Sequence, residues 1–260
     1  MSRQNQRTRK YQRKGTLIMK VALTINDHLR RGEQVYGDRL AVIDEPDQPA
    51  ESWGSVTYRQ LAELARRQAR GLDDLGVPVG ARVAVVSQNS ARLLTSFFGV
   101  SGSGRVLVPI NFRLAAEEVA YIIEHCGADV LIVDPELEET LSSVTARHRF
   151  TIGAESDAVL FPASQDCATW EPDENATATI NYTSGTTARP KGVQLTHRSF
   201  GGELCCFWLA IGSERPRYLS AYAASVSRER LGNGVCGNRN GWHSRNFAQN
   251  RWRRDLASNR

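Results

Sequence analysis

Residues 83–133 read VAVVSQNSARLLTSFFGVSGSGRVLVPINFRLAAEEVAYIIEHCGADVLIV. Short runs of branched apolar residues alternate here with longer segments in which apolar residues recur at helical spacing. The alternation predicts strands at 83–86, 106–110 and 130–133 and helices at 91–100 and 115–125. Strands of about five residues that alternate with longer helices form βαβ units, whose sheet is parallel and covered on both faces. We therefore expect an α/β protein with a mostly parallel sheet flanked by helices.

Further elements are predicted on both sides of this region. A helix is expected after Thr57, because apolar residues recur at helical spacing from Leu61 to Leu72. Thr57 is expected to cap its start, and Gly76 and Pro78 to end it. The remaining expectations are helices at 27–36 and 135–146 and strands at 40–44 and 177–182. Residues 153–175 are richer in Ala, Asp and Ser, and we expect a linker or a surface excursion there.

The positive charge lies at the two ends of the chain. The net charge is +5, of which residues 1–20 carry +7 and residues 221–260 carry +6, so residues 21–220 carry −8. An acidic central region is a poor partner for a phosphate backbone, so we expect no nucleic-acid binding. The least favoured alternative is a protein that binds nucleic acid through its two basic ends. Residues 1–19 are expected to be a basic, disordered extension, and the natural start is Met1 or Met19.

Several other classes of protein are disfavoured by composition. No run of about 18 apolar residues could span a bilayer, and the apolar patch at 16–19 is too short for a signal peptide. The five cysteines lack paired metal-ligand spacing, so no metal site held by protein side chains alone is expected. Their odd number fits a reducing compartment, and we expect a cytoplasmic protein whose oligomeric state the sequence leaves open.

The candidate site is a loop that follows the strand predicted at 177–182. Residues 182–193 read YTSGTTARPKGV. Hydroxyl groups and backbone N–H groups can donate to a polyphosphate while a lysine supplies a compact positive charge. It is not a Walker A loop. That motif needs a glycine before its lysine, where Pro190 stands, and a serine or threonine after it, where Gly192 stands. By composition alone, a flexible surface loop remains the alternative.

The whole string resembles the phosphate-binding signature of the adenylate-forming superfamily, which includes acyl-CoA synthetases, luciferases and peptide-synthetase adenylation domains. The similarity covers roughly residues 20–220. Four segments upstream resemble, in order, the N-terminal domain of fatty-acyl-CoA synthetases: VTYRQL at 56–61, GARVAV at 80–85, VPINFRL at 108–114 and ADVLIV at 128–133. The sequence departs from the family at Ala188, where glycine is usual, and at 101–104, where a helix normally continues with alanines.

The resemblance implies that residues 20–220 form part of an N-terminal AMP-binding domain. The implied reaction activates a carboxylic acid, by preference a fatty acid, with ATP and Mg²⁺ to an acyl-adenylate, and then transfers the acyl group to coenzyme A. Arg189 is expected to be a solvated charge, and the glycines of the loop to permit its close approach to the ligand. The residues implied in binding ATP are Thr183, Ser184, Gly185, Thr186, Thr187, Lys191 and Gly192. No catalytic residue and no protein metal ligand is assigned.

The sequence changes character near residue 220. Residues 221–260 are rich in Arg, Asn, Ser and Gly and show no periodicity. Our hypothesis is a one-base shift of the reading frame near Ser220, because suitable codons for residues 221–232, read one base later, encode HTLPVFHANGW, which looks like the family's next segment. A naturally disordered basic tail is the alternative. With the shift, we expect an inactive fragment of an acyl-CoA synthetase, or else a nucleotide-binding pseudoenzyme.

Overall fold

Strand β3 (Arg82–Val86) lies inside a six-stranded sheet in the computed structural model of the chain, which describes residues 21–183 and 189–200. The strands lie in the spatial order β6 (His148–Thr151), β5 (Ala128–Val133), β3, β4 (Val106–Ile110), β7 (Thr177–Thr183) and β8 (Lys191–Thr196). The first five strands pair in parallel, and β8 pairs antiparallel with β7. The prediction of a mostly parallel sheet is confirmed.

The helices and one short hairpin cover this sheet. Their bounds are α1 (Ile25–Tyr36), β1 (Leu40–Ile43), β2 (Ser55–Thr57), α2 (Tyr58–Asp74), α3 (Ala91–Gly99), α4 (Ala116–Cys126) and α5 (Ala154–Leu160). The predicted cap of α2 is confirmed, because the Thr57 side chain accepts a hydrogen bond from the backbone N–H of Gln60. The other predicted elements between residues 27 and 133 are confirmed to within two residues at each end.

Successive residues of β3 face opposite sides of the sheet, and both sides are buried. Val83 and Val85 belong to the cluster that contains Leu72 of α2, whereas Ala84 and Val86 pack with the apolar residues of α4. None of the four β3 residues is more than 2% exposed. Full burial of a valine side chain contributes roughly 1.5–3 kcal/mol. Strand β3 therefore stabilises the packing on both faces of the sheet.

The helix predicted at 135–146 is wrong. Only Pro135–Leu137 form a short 3-10 helix, and turns follow it. Leu141 and Val144 are buried, which explains the helical spacing in the sequence. The guanidinium group of Arg149 donates hydrogen bonds to the carbonyl oxygens of both residues. In a helix, these oxygens would accept from backbone N–H groups instead. Apolar spacing alone did not reveal these hydrogen bonds from Arg149, which lies five and eight residues further along the chain.

The linker expected at 153–175 is also wrong in part. The stretch 153–175 begins with α5, which packs through Leu160 against α2. Phe161 continues the packing with an edge-to-face contact to Trp53, at 5.1 Å between ring centroids. Two strands, β6 and β8, were missed as well. Residues 153–161 therefore belong to the domain core, and a surface excursion begins only after them.

The glycines at 102 and 104 have a structural reason. Helix α3 ends at Gly99, a 3-10 turn covers Ser101–Ser103, and Gly104 takes the positive φ of 80°. A Cβ atom on Gly102 would lie 2.1 Å from Asn26 Oδ1, and one on Gly104 would lie 2.6 Å from Trp170 Cδ1. Alanine at position 102 would require the Asn26 side chain to move, and alanine at position 104 would require both the Trp170 ring to move and an unfavourable positive φ. The expectations for residues 1–19 and 221–260 lie outside the described residues.

Candidate functional site

The candidate loop joins the two strands of a hairpin at one end of the sheet. Strand β7 runs parallel to β4 and leads into the loop, and β8 leads the chain back antiparallel to β7. The loop therefore leaves the sheet at the carboxyl ends of its parallel strands, which is where α/β proteins place ligand sites. Five of its residues, at 184–188, lie outside the described residues, so the binding roles expected of Ser184, Gly185, Thr186 and Thr187 stay predictions.

The described ends of the loop bring two of the predicted residues together. Thr183 is the last residue of β7, Lys191 is the first of β8, and the two are cross-strand partners. Directly opposed residues of an antiparallel pair have Cβ atoms about 4.5–5.5 Å apart. Lys191 is exposed and makes no ion pair within the described parts of the chain. A hydroxyl residue and a lysine without an ion pair among the described residues therefore face each other across the ladder at the start and end of the loop.

Gly192 lies opposite Tyr182 in the same ladder. A Cβ atom on Gly192 would lie 3.2 Å from Cζ of the Tyr182 ring and 3.0 Å from Cγ2 of Ile180. The glycine thus lets β8 lie close against the tyrosine, which is a packing role that the sequence had not indicated. Its expected role in the approach of a ligand stays a prediction.

The tyrosine before the loop is held by helix α4. Tyr182 is buried, and its hydroxyl oxygen lies 2.7 Å from Nδ1 of His125. Burial, with smaller contributions from the neighbouring Cys126 and Tyr121, raises the pKa of Tyr182 to about 12. The phenol is therefore neutral at physiological pH. It can donate its hydrogen to His125 or accept one from it, according to the tautomer of the imidazole.

Helix α4 also reaches the far end of the loop. The guanidinium carbon of Arg189 lies 5.4 Å from the ring centroid of Tyr121, within the range of a cation–π contact. Arg189 is exposed, in agreement with the solvated charge expected for it. Sequence reasoning missed α4 as a neighbour of the site, because its residues lie some sixty positions upstream and carry no motif of their own.

Other kinds of site are not apparent in the described ranges. Residues 21–183 and 189–200 hold no group of three or more His, Cys, Asp or Glu side chains placed to bind a metal ion. A magnesium ion that arrives with ATP needs few protein ligands, because phosphate oxygens and water supply most of its shell. Among the same residues, no helix is both long and apolar enough to cross a membrane. Cys126 and Cys167 are free thiols.

Comparison with known proteins shows which family the chain matches. A family model described as "AMP-binding enzyme" matches residues 29–227. The chain is 37% identical over 154 residues to a long-chain-fatty-acid–CoA ligase of Thermus thermophilus, an alignment that covers 55% of this chain and 28% of the relative. It is 36% identical over 149 residues to a feruloyl-CoA synthase of an Amycolatopsis species, with the same two coverages.

The fold is similar as well. The crystal structure of the anthranilate CoA ligase AuaEII with anthranoyl-AMP superposes with a TM-score of 0.61 and 27% sequence identity, over 69% of this chain and 36% of that one. The chain thus spans well under half the length of these relatives. The resemblance and the α/β fold inferred from the sequence are confirmed over the part of the relatives that the chain matches.

Proposed function

Because the chain belongs to the AMP-binding enzyme family, which its match over residues 29–227 establishes, we propose that its β7–β8 loop binds the polyphosphate of ATP. In a complete ligase, this loop would serve the activation of a carboxylic acid to an acyl-adenylate and its transfer to coenzyme A. Since the chain spans 28% of the length of the Thermus ligase, both the activity and the substrates of a whole enzyme are part of this proposal.

One observation carries the proposal: the cross-strand pairing of Thr183 with Lys191. The pairing places a hydroxyl donor and a positive charge at the carboxyl edge of the parallel sheet. Both groups can contact anionic oxygens, and neither is engaged in an ion pair within the described residues. Thr183 and Lys191 would hold the β- and γ-phosphates with Ser184, Thr186 and Thr187, and a magnesium ion would neutralise part of the phosphate charge.

The acid that is activated is proposed only as a class. The names of the relatives point to a long-chain fatty acid, to ferulic acid and to anthranilic acid, which share a carboxylate and little else. We favour a fatty acid, on the resemblance of the upstream segments to fatty-acyl-CoA synthetases. We also propose a cytoplasmic location, which the free thiols Cys126 and Cys167 support.

The test is a calorimetric titration of the 260-residue chain with MgATP. We expect saturable binding that Lys191→Ala weakens about ten- to a hundredfold, because a hydrogen bond to a charged group is worth about 1.5–3 kcal/mol. Arg31→Ala is the matched control, because Arg31 is an exposed cation on α1 and should leave the affinity unchanged. Absence of saturable binding by the unmutated chain would rule out the proposal.

A second candidate function is nucleotide binding without turnover. The ATP loop lies within the chain, whereas the segments that the resemblance places further along such enzymes are not recognisable in residues 221–260. The chain by itself would then bind ATP as a pseudoenzyme does. Binding and turnover are measured separately, so the two candidates can be distinguished.

A further inference from the structure

Helix α4 contacts both ends of the proposed ATP loop. At the entrance of the loop, Tyr182 reaches His125, with 2.7 Å between the hydroxyl oxygen and Nδ1 and 5.8 Å between the ring centroids. At its exit, the guanidinium carbon of Arg189 lies 5.4 Å from the centroid of Tyr121. Tyr121 and His125 are four residues apart and share one face of the helix, with their ring centroids 5.4 Å apart.

The four side chains form one continuous series of contacts. It runs from Arg189 through Tyr121 and His125 to Tyr182, and it bridges the loop without passing through it. Helix α4 is itself anchored by Val119 and Ile122, which are both fully buried against the sheet. The series therefore connects the two ends of the loop to a rigid part of the core.

We propose that Tyr121 and His125 are positioning residues, which hold Tyr182 and Arg189, at the two ends of the ATP loop, in the orientation that polyphosphate binding requires. This inference rests on the proposed function and adds to it the element that organises the loop. Side chains that are already held in place cost less conformational entropy when a ligand binds beside them, so the affinity is higher than it would be with these two side chains free. Neither residue needs to touch the nucleotide.

The first test removes one contact at the entrance of the loop. Tyr182→Phe keeps the ring in the core and deletes the hydroxyl group, and we expect the dissociation constant for MgATP to rise about three- to tenfold. Tyr36→Phe is the matched control, because Tyr36 lies on α1, where its ring contacts Tyr58 and Arg39 rather than α4. His125→Asn keeps a polar atom near the place of Nδ1, so it should bind ATP better than His125→Leu does.

The second test is a double-mutant cycle at the exit of the loop. Tyr121→Leu and Arg189→Gln should each weaken ATP binding about two- to fivefold, and the double variant should be no weaker than the single ones, because both changes remove the same contact. Tyr121→Phe keeps an aromatic face beneath Arg189 and serves as the control. Thermal unfolding of every variant is measured in parallel, and a merely structural role would show as a lower melting temperature with no coupling in the cycle.

The outcomes separate this inference from the function on which it rests. An unmutated chain without affinity for ATP would overturn both. ATP binding that is lost with Lys191→Ala but unchanged in Tyr182→Phe and in Tyr121→Leu would overturn the positioning role alone. Additive effects of Tyr121→Leu and Arg189→Gln would contradict it as well, since they would mean that Arg189 acts without Tyr121.

Discussion

Thr183 and Lys191 lie directly opposite each other across the β7–β8 ladder, at the two ends of the loop of residues 184–190. Because β7 is a parallel strand of the sheet and β8 an antiparallel one, the ladder turns the chain back at the carboxyl edge of the sheet. Backbone pairing therefore brings the Cα atoms of Thr183 and Lys191 together, whereas the position of the ammonium group also depends on the four-carbon side chain that carries it.

The stability of the domain should fall in mild acid because of His197. This side chain is fully buried, accepts a hydrogen bond at Nδ1 from the backbone N–H of Ile25, and has no partner at Nε2 among the described residues. Burial lowers the pKa of His197 from 6.5 to about 4, and burial also lowers the pKa of His28. Between about pH 6.5 and pH 4, the unfolded chain binds a proton that the folded chain does not, so folding is weakened as the pH falls.

Urea unfolding at two pH values measures this effect. The free energy of unfolding should be about 2 kcal/mol lower at pH 5 than at pH 7.5 through His197, because each pKa unit corresponds to about 1.4 kcal/mol. His197→Asn retains an acceptor for the N–H of Ile25 and should remove most of the difference, leaving the part that His28 contributes. An equal pH dependence in this variant and in the unmutated chain would contradict the role of His197.

Alanine at position 104 should destabilise the fold more than alanine at position 76. Both glycines have positive φ angles, 80° and 67°, so Gly→Ala at either position costs about 1–2 kcal/mol of backbone strain. Only at Gly104 would the added methyl group meet the ring of Trp170, whereas the space around Gly76 is open. Overpacking adds about 1–3 kcal/mol, which chemical denaturation of the two variants can resolve.

Much of this fold, but not its whole site, could be predicted from sequence. Strand β4 was predicted at its observed bounds, because a short, fully apolar run between turn signals is typical of a buried strand. Strand β6 has four half-buried residues, HRFT, and β8 is exposed along most of its length, so neither shows the apolar pattern of a buried strand. Each of them pairs through backbone hydrogen bonds with the strand before it, which the pattern of side chains does not reveal.

The site divides in the same way. Thr183 and Lys191 are marked by the motif itself, so their selection needed no structure. The contact of Tyr182 with His125 joins residues 57 positions apart, and neither segment has a sequence pattern that predicts this contact. Residues that organise a loop from a neighbouring helix are recognisable only once the helix and the loop have been placed together.

The buried ion pair between Arg92 and Asp157 should matter more than an exposed one. These side chains are 8% and 23% exposed, lie 2.6 Å apart, and connect α3 to α5. Asp157→Ala leaves the guanidinium group buried without its carboxylate, which typically costs about 3–5 kcal/mol. Asp38→Ala is the control, because Asp38 pairs with Arg59 at 3.1 Å but is 92% exposed, and its loss should cost less than about 1 kcal/mol.

The comparison is made by thermal and urea unfolding of both variants. If Asp157→Ala and Asp38→Ala lower the free energy of unfolding by the same amount, α5 is not anchored through this ion pair. The finding that residues 153–161 belong to the core would then rest on the packing of Leu160 and Phe161 alone.

The 260-residue chain should show no adenylation activity by itself. Exchange of labelled pyrophosphate into ATP, with fatty acids of several chain lengths, should stay at background even where ATP binds. The resemblance places further parts of the active site beyond the segment that the chain shares with its relatives. Exchange that depends on a fatty acid and is lost with Lys191→Ala would refute this expectation.

The reading-frame hypothesis is tested by the gene. We propose that the nucleotide sequence after codon 220, read one base later, encodes the segment HTLPVFHANGW and continues as a synthetase. A gene without such a continuation would leave residues 221–260 as a natural basic tail.

The most direct measurement is a crystal structure of the chain with a non-hydrolysable ATP analogue. The account predicts that the β- and γ-phosphates lie in the loop between Thr183 and Lys191, with Nζ of Lys191 within hydrogen-bonding distance of a phosphate oxygen. Phosphates bound elsewhere, or a loop packed so closely against the domain that no triphosphate fits beside Lys191, would contradict it.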